Sequence, residues 1–217
     1  MQVLFVICRR DLCSIIRTMF RTSQELINEK GKIDMHYYNI KAAEAARLIA
    51  ARSNGYEITK DVMTALKGCF DSGHALFIQG GCGTGKTEFF EQLKKSVDPR
   101  LEIVSMMKLS RLTADELDNQ LEYLRDKDVV FDDLGSELTS NNFGLRYDSM
   151  HIIVADREKL SRMTHFTTNL SDEAILKRYG DRIFDRLGMM CLWVSFAGGS
   201  RRKTRVFENP YKREVAI

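Results

Sequence analysis

Eight consecutive residues, Gly80-Gly81-Cys82-Gly83-Thr84-Gly85-Lys86-Thr87, follow the pattern G-x-x-x-x-G-K-T of a phosphate-binding loop. The glycines let the backbone curl until successive N–H groups point into one concavity, at the positive end of the helix that follows. A nucleoside triphosphate fits such a concavity. Lys86 offers a mobile point charge to the β- and γ-phosphates, and the Thr87 hydroxyl can ligate Mg²⁺. Cys82 reads as a small residue that fits the loop rather than as a redox thiol.

The elements around this loop have the order it requires. Ala75-Leu76-Phe77-Ile78 is a short apolar run suited to a buried strand, and Glu88-Phe89-Phe90-Glu91-Gln92-Leu93-Lys94-Lys95 has apolar residues at helical spacing. That context argues against a glycine-rich turn that binds nothing. Val129-Val130-Phe131 is a second buried strand that delivers Asp132 and Asp133 to its carboxyl end. Acids there face the ligand crevice of a parallel sheet. Asp132 is placed to hold the Mg²⁺ shell, and Asp133 to orient or deprotonate an attacking water.

A further strand over residues 163–169 ends in Thr167-Thr168-Asn169. The Asn169 amide can position that water; an ordinary turn-forming asparagine is the plainer reading. Arg182 and Arg186 are four apart and share one helical face. Arginine there can complete a neighbour's phosphate site, or can pair with Asp181 and Asp185 on a solvated surface.

The rest of the chain supplies a frame. An alanine-rich helix spans residues 39–53 and ends at the Asn54-Gly55 turn. A second helix spans 59–69, with Thr59 as N-cap. Residues 101–104 form a strand, and Thr113 with Glu116 opens a helix with a capping box. Ser140-Asn141-Asn142 is a loop. Residues 147–160 carry both strand and helix signals, and their length favours helix. Ser171 caps a helix toward Tyr179-Gly180, a short helix spans 182–187, and residues 192–196 form a last strand. Strands alternating with helices predict an α/β fold, mainly parallel, with helices on both faces.

Composition agrees. The chain has 217 residues, 44% hydrophobic and 29% charged, enough for one globular core with a small appendage. A net charge of +3 does not mark a strongly basic nucleic-acid binder. The five cysteines are scattered without metal-ligand spacing, which points to a reduced, cytoplasmic protein. No apolar run approaches bilayer-spanning length, so no membrane association is expected. The organisation expected is a weakly ordered or helical extension over 1–34, N-terminal helices over 35–72, and a nucleotide-binding core over 73–217 with a basic tail. Met19 and Met35 are alternative starts.

In order and spacing, the phosphate loop, Val-Val-Phe-Asp-Asp-Leu-Gly-Ser-Glu, Thr-Thr-Asn-Leu-Ser and Arg-Ile-Phe-Asp-Arg-Leu resemble the AAA+ ATPases of the DnaC/IstB type, bacterial helicase loaders and transposition helpers. The resemblance covers roughly residues 75–205. It implies an AAA+ P-loop fold, ATP and Mg²⁺ as ligands, and an ATP-dependent homo-oligomer that holds single-stranded DNA and serves a replicative helicase or a transposase. It also implies site roles: Asn169 as sensor-1, Arg186 as an arginine finger acting in trans with Arg182 beside it, and Arg202 as a C-terminal sensor arginine bound to nucleotide. Glu137 matches the trailing acid of the family's Asp-Asp-x-Gly-x-Glu pattern.

Two departures stand out. Asp133 occupies a position where most AAA+ proteins carry Glu, so slow turnover is expected. Only about 70 residues precede the core, without a zinc-ligand cluster, so a phage or mobile-element role fits as well as helicase loading. Lys108, Arg111 and the basic residues at 201–205 and 212–213 could neutralise DNA phosphates, or simply be solvated. An ATP-gated scaffold with negligible hydrolysis is the alternative from another class. A P-loop kinase is a third, disfavoured by Asn169 and the terminal arginines.

Overall fold

In the computed structural model, residues 40–137, 149–160 and 162–199 are described. From the N-terminal side, helices α1 (Ala42–Arg52) and α2 (Lys60–Leu66) precede strand β1 (Ala75–Gly80). There follow α3 (Lys86–Ser96), β2 (Glu102–Ser105), the single turn α4 (Met106–Leu109), α5 (Ala114–Leu124) and β3 (Val129–Leu134). The chain continues through α6 (Ser149–Arg157), β4 (Thr164–Thr168), α7 (Asp172–Tyr179), α8 (Asp181–Met190) and β5 (Cys191–Phe196).

Period-two alternation cannot hide three consecutive apolar residues behind one layer. Leu76, Phe77 and Ile78 of β1 are all fully buried, so both faces of the strand must be covered. Leu76 and Ile78 pack with α1, α2 and α3, while Phe77 packs with α5, α6, α7 and α8. All five strands are parallel, in the order β2-β3-β4-β1-β5. The expected α/β fold with helices on both faces is what forms. Because β4 inserts between β1 and β3, the end of β4 lies between the phosphate loop and the two acids.

Local signals hold where side chains satisfy helix ends. Thr59 and Ser171 accept bonds from Val62 N–H and Ala174 N–H, and Thr113 with Glu116 forms the full capping box. The ambiguous segment 147–160 contains helix α6; the side chains of Ile153 and Val154 are both buried within it. The last helix is longer than its apolar spacing suggests, running directly into β5.

The second N-terminal helix departs from expectation, widening into a π-turn over Lys67–Asp71. There a Cβ on Gly68 would come within 2.5 Å of the Leu192 side chain. The turn lets the backbone lie directly against β5, a demand that helical periodicity does not encode. The extension 1–34 with its alternative starts, the loop at 140–142 and the basic tail with Arg202 lie outside the described residues.

The amino-terminal edge of the sheet is closed by a buried polar cluster. Arg157, 1% exposed, donates to Thr164 Oγ1 and to the carbonyls of Leu124, Lys127 and Met163. Asp128 accepts from Met163 N–H at 3.0 Å. Burial pushes its carboxyl up to about 6, against the pull of that bond and of Arg162 and Arg157. A carboxyl raised on folding stabilises fully below its unfolded value near 4, and that stability is lost as pH rises through 6. Asp128→Asn should therefore raise stability at pH 7.5 by up to about 3 kcal/mol, two pH units of linkage, and flatten the stability profile between pH 4 and 6. Urea titrations across that range measure both.

Candidate functional site

The phosphate loop is shaped by two left-handed glycines, Gly83 at φ 82° and Gly85 at φ 93°, the latter opening α3. Thr84 Oγ1 donates to Gly81 O at 3.0 Å across the curl. Gly80 ends β1 with no room for a side chain, since a Cβ would come within 2.5 Å of Phe196 O. Lys86 is 5% exposed and its ammonium folds back over the loop. It donates to Gly80 O and Gly81 O, each at 2.9 Å, and to Asn169 Oδ1 at 2.6 Å.

The acids are aimed by an irregularity in β3. Phe131 pairs with Phe166 and Leu134 with Thr168, so three steps on β3 oppose two on β4. One extra residue makes a bulge, which kinks the strand and redirects its side chains. Asp133 takes the left-handed conformation at φ 57°, uncommon for a residue other than glycine. Its N–H donates to Thr167 Oγ1 at 2.9 Å instead of to the ladder. The Thr167 hydroxyl in turn donates to Asp132 Oδ1 at 2.6 Å. Thr87 Oγ1 lies 3.0 Å from both Asp132 oxygens.

Asn169 completes the group. Its Oδ1 faces Lys86 and its Nδ2 lies 3.5 Å from Asp133 Oδ1, at the edge of hydrogen-bond range. Lys86, Thr87, Asp132, Asp133 and Asn169 thus meet at one end of the sheet, as the motif order predicts. They line a cleft of about 950 Å³ with Cys82, Gly83 and Gly85.

Residues 53–57 also line it, together with Glu88, Glu91, Gln92 and Lys95 of α3. The Asn54-Gly55 turn signal marks the loop, but its place depends on tertiary packing, including Arg52 Nη1 donating to Ser96 O at 2.7 Å. Thr167 was also missed as a support, although the Thr-Thr-Asn triplet contains it.

Burial raises the Asp132 carboxyl, an effect opposed by the Thr167 and Thr87 hydroxyls. The Glu91 carboxyl is raised by burial, then by the charges of Glu88 and Asp132. Among the described residues no three His, Cys, Asp or Glu side chains form a metal cage. A Mg²⁺ ion at a nucleotide site needs no cage, because phosphates and water complete its shell around one or two protein oxygens. The Thr87 hydroxyl and Asp132 carboxylate, both hard oxygen donors in contact, fit that role.

The arginines stand apart from this cleft. Arg182 is exposed on α8, and Arg186, one turn on, pairs with Glu158 at 3.2 Å. Neither lines the cleft formed by its own chain. The salt bridge to Glu158 replaces the pairing with Asp181 and Asp185 read from sequence.

AMPPCP-bound DnaA from Aquifex aeolicus superposes on 64% of this chain with a TM-score of 0.51 and 13% identity. The fold is of the P-loop, AAA+ type. NtrX from Brucella abortus in complex with ATP matches 88% of the chain at a TM-score of 0.46 and 11% identity. The chain spans about half the length of these solved chains. No protein-family model matches it, and no curated protein does. Within the AAA+ fold, the insertion of β4 between β1 and β3 is what puts Asn169 in contact with Lys86.

Thr167 is fully buried, so its hydroxyl cannot be replaced by water without rearrangement. Thr167→Val keeps the shape but strands Asp133 N–H and removes a donor from Asp132. It should lower the unfolding free energy by about 2 kcal/mol and weaken nucleotide binding. Chemical denaturation and titration with a fluorescent ATP analogue measure the two effects.

Proposed function

We propose that this chain is a Mg²⁺-dependent ATPase of the DnaC/IstB kind. It assembles with copies of itself on single-stranded DNA and serves a replicative helicase or transposase in the cytoplasm. The observation that carries the ATPase reading is the Asn169 amide, which touches Lys86 on one side and approaches Asp133 on the other. An amide so placed can sense the γ-phosphate and orient the water that attacks it.

Each residue has a task. The loop N–H groups from Gly80 to Thr87 and the Lys86 ammonium hold the phosphates. On nucleotide binding, Lys86 exchanges its carbonyl contacts for phosphate oxygens. Thr87 and Asp132 hold Mg²⁺, which when bound neutralises phosphate charge. Asp133 accepts the proton of the attacking water or orders it. Its short side chain makes turnover slow. Residues 53–57 and the cleft-lining residues of α3 offer room for the nucleoside.

Arg182 and Arg186 act on the site of the next subunit, which fits their absence from their own cleft. Arg202 contributes to nucleotide binding from the tail. Lys108 and Arg111 are exposed just beyond the carboxyl end of β2, where a DNA backbone could run. A second reading, an ATP-gated scaffold with negligible hydrolysis, draws support from Asp133, whose short carboxylate lies beside Asn169.

Single-stranded DNA should stimulate hydrolysis by the wild-type chain, and Lys86→Ala should lower it by about 100-fold or more. Arg186→Ala should be inactive alone but regain activity when mixed with Lys86→Ala, because each supplies what the other lacks. Hydrolysis by monomers, indifferent to DNA and to mixing, counts against assembly. ATP binding with no turnover in a single-turnover assay favours the scaffold.

A further inference from the structure

Glu137 lies outside the cleft, and the chemistry above does not use it. It is nevertheless a carboxylate with a side chain only 10% exposed, three residues past the end of β3. Its Oε2 accepts from Gly135 N–H at 2.7 Å. Its Oε1 accepts from the Tyr179 hydroxyl and lies 3.7 Å from Arg178 Nε. Arg178 also donates from Nη2 to Glu137 O at 2.7 Å. Tyr179, at the end of α7, is itself buried.

The segment held this way is the turn that presents Asp133. Asp133 at φ 57° sits where an L side chain pays about 1 kcal/mol or more. Gly135 follows at φ 100°, and a Cβ there would come within 2.6 Å of the Leu170 side chain. An unfavourable backbone conformation persists only where its surroundings enforce it. Thr167 enforces it from β4, through Asp133 N–H. Glu137 enforces it from the other side, through Gly135 N–H.

We propose that Glu137 is a positioning residue. It clamps the turn at 133–135 against Tyr179 and Arg178 and so fixes where the Asp133 carboxylate points in the cleft. The assignment rests on the reading that Asp133 acts on the attacking water. It also ties that turn to the end of α7, one residue before Gly180 and the helix that carries Arg182 and Arg186.

Glu137→Gln, Tyr179→Phe and Asp133→Asn, each in the full chain, test this with mant-ATP affinity, KM, kcat and melting temperature. Glu137→Gln and Tyr179→Phe should keep nucleotide affinity and KM within about twofold and lower kcat by about tenfold, the signature of misaimed chemistry. Combining Glu137→Gln with Asp133→Asn should be no slower than Asp133→Asn alone. Wild-type kcat in both Glu137→Gln and Tyr179→Phe overturns the proposal, as does equal loss of affinity and kcat. So does a double variant slower than Asp133→Asn by the full Glu137→Gln factor. Tyr179→Phe removes one hydroxyl, so the test survives if Glu137→Gln does not fold. A wild-type chain that binds ATP without turnover overturns the role of Glu137 and leaves nucleotide binding standing. A chain that binds no ATP overturns the underlying nucleotide reading as well.

Discussion

The Asp132 carboxylate is the constraint on which the site depends. It is 8% exposed, and a buried carboxylate is tolerable only when its oxygens are hydrogen-bonded. The donors are Thr87 at the head of α3 and Thr167 on β4. Satisfying one acid therefore fixes three elements relative to one another: the phosphate loop, the strand that bears the acid, and the strand between. The Thr167 hydroxyl has a second duty, since it also accepts from Asp133 N–H. One threonine oxygen thus serves the carboxylate of the first acid and the backbone of the second.

That arrangement needs the strands to end level, and a row of aromatic rings sees to it. Phe131, Phe166, Phe77 and Trp193 occupy matched registers on β3, β4, β1 and β5. Neighbouring rings lie 5.6, 6.2 and 4.2 Å apart between centroids. Sliding one strand by a residue would turn its ring to the opposite face. The row lies one residue before Asp132 on β3 and one before Thr167 on β4. Packing under the sheet thereby places the polar chemistry at its edge.

The residues gathered at the candidate site are legible in the sequence because their signals are local. A phosphate loop needs glycines, a lysine and a hydroxyl in consecutive positions, and a sequence shows them directly. The acids at the end of Val129-Val130-Phe131 were equally plain, and so were the helix caps at Thr59, Thr113 and Ser171. What escaped was set by contact between distant segments. The bulge at Asp132–Asp133 exists relative to β4, so β3 alone carries no sign of it. The π-turn at Lys67–Asp71 answers Leu192, more than a hundred residues away. Residues 53–57 reach the cleft because α1 packs on α3. The segment 147–160 was ambiguous for a different reason: a helix buried at Ile153 and Val154 has the apolar density of a strand.

Perturbed ionisation alone does not mark the site. The two ends of the sheet carry similar residue types and opposite consequences. At the amino end, burial pushes Asp128 up to about 6 and His165 down to about 3. His165 Nδ1 accepts from Leu76 N–H at 3.0 Å, which supplies a partner to β1 before its ladder with β4 begins at Phe77. An imidazole held neutral at working pH with its acceptor engaged cannot exchange protons with a ligand. Arg157 likewise has its guanidinium committed to carbonyls and one hydroxyl. At the carboxyl end, Lys86 and Asn169 also bond within the chain, but they do so on the wall of an open cleft where phosphate can compete for them. Access to a ligand, rather than the size of a shift, separates the candidate site from the staple at the opposite edge.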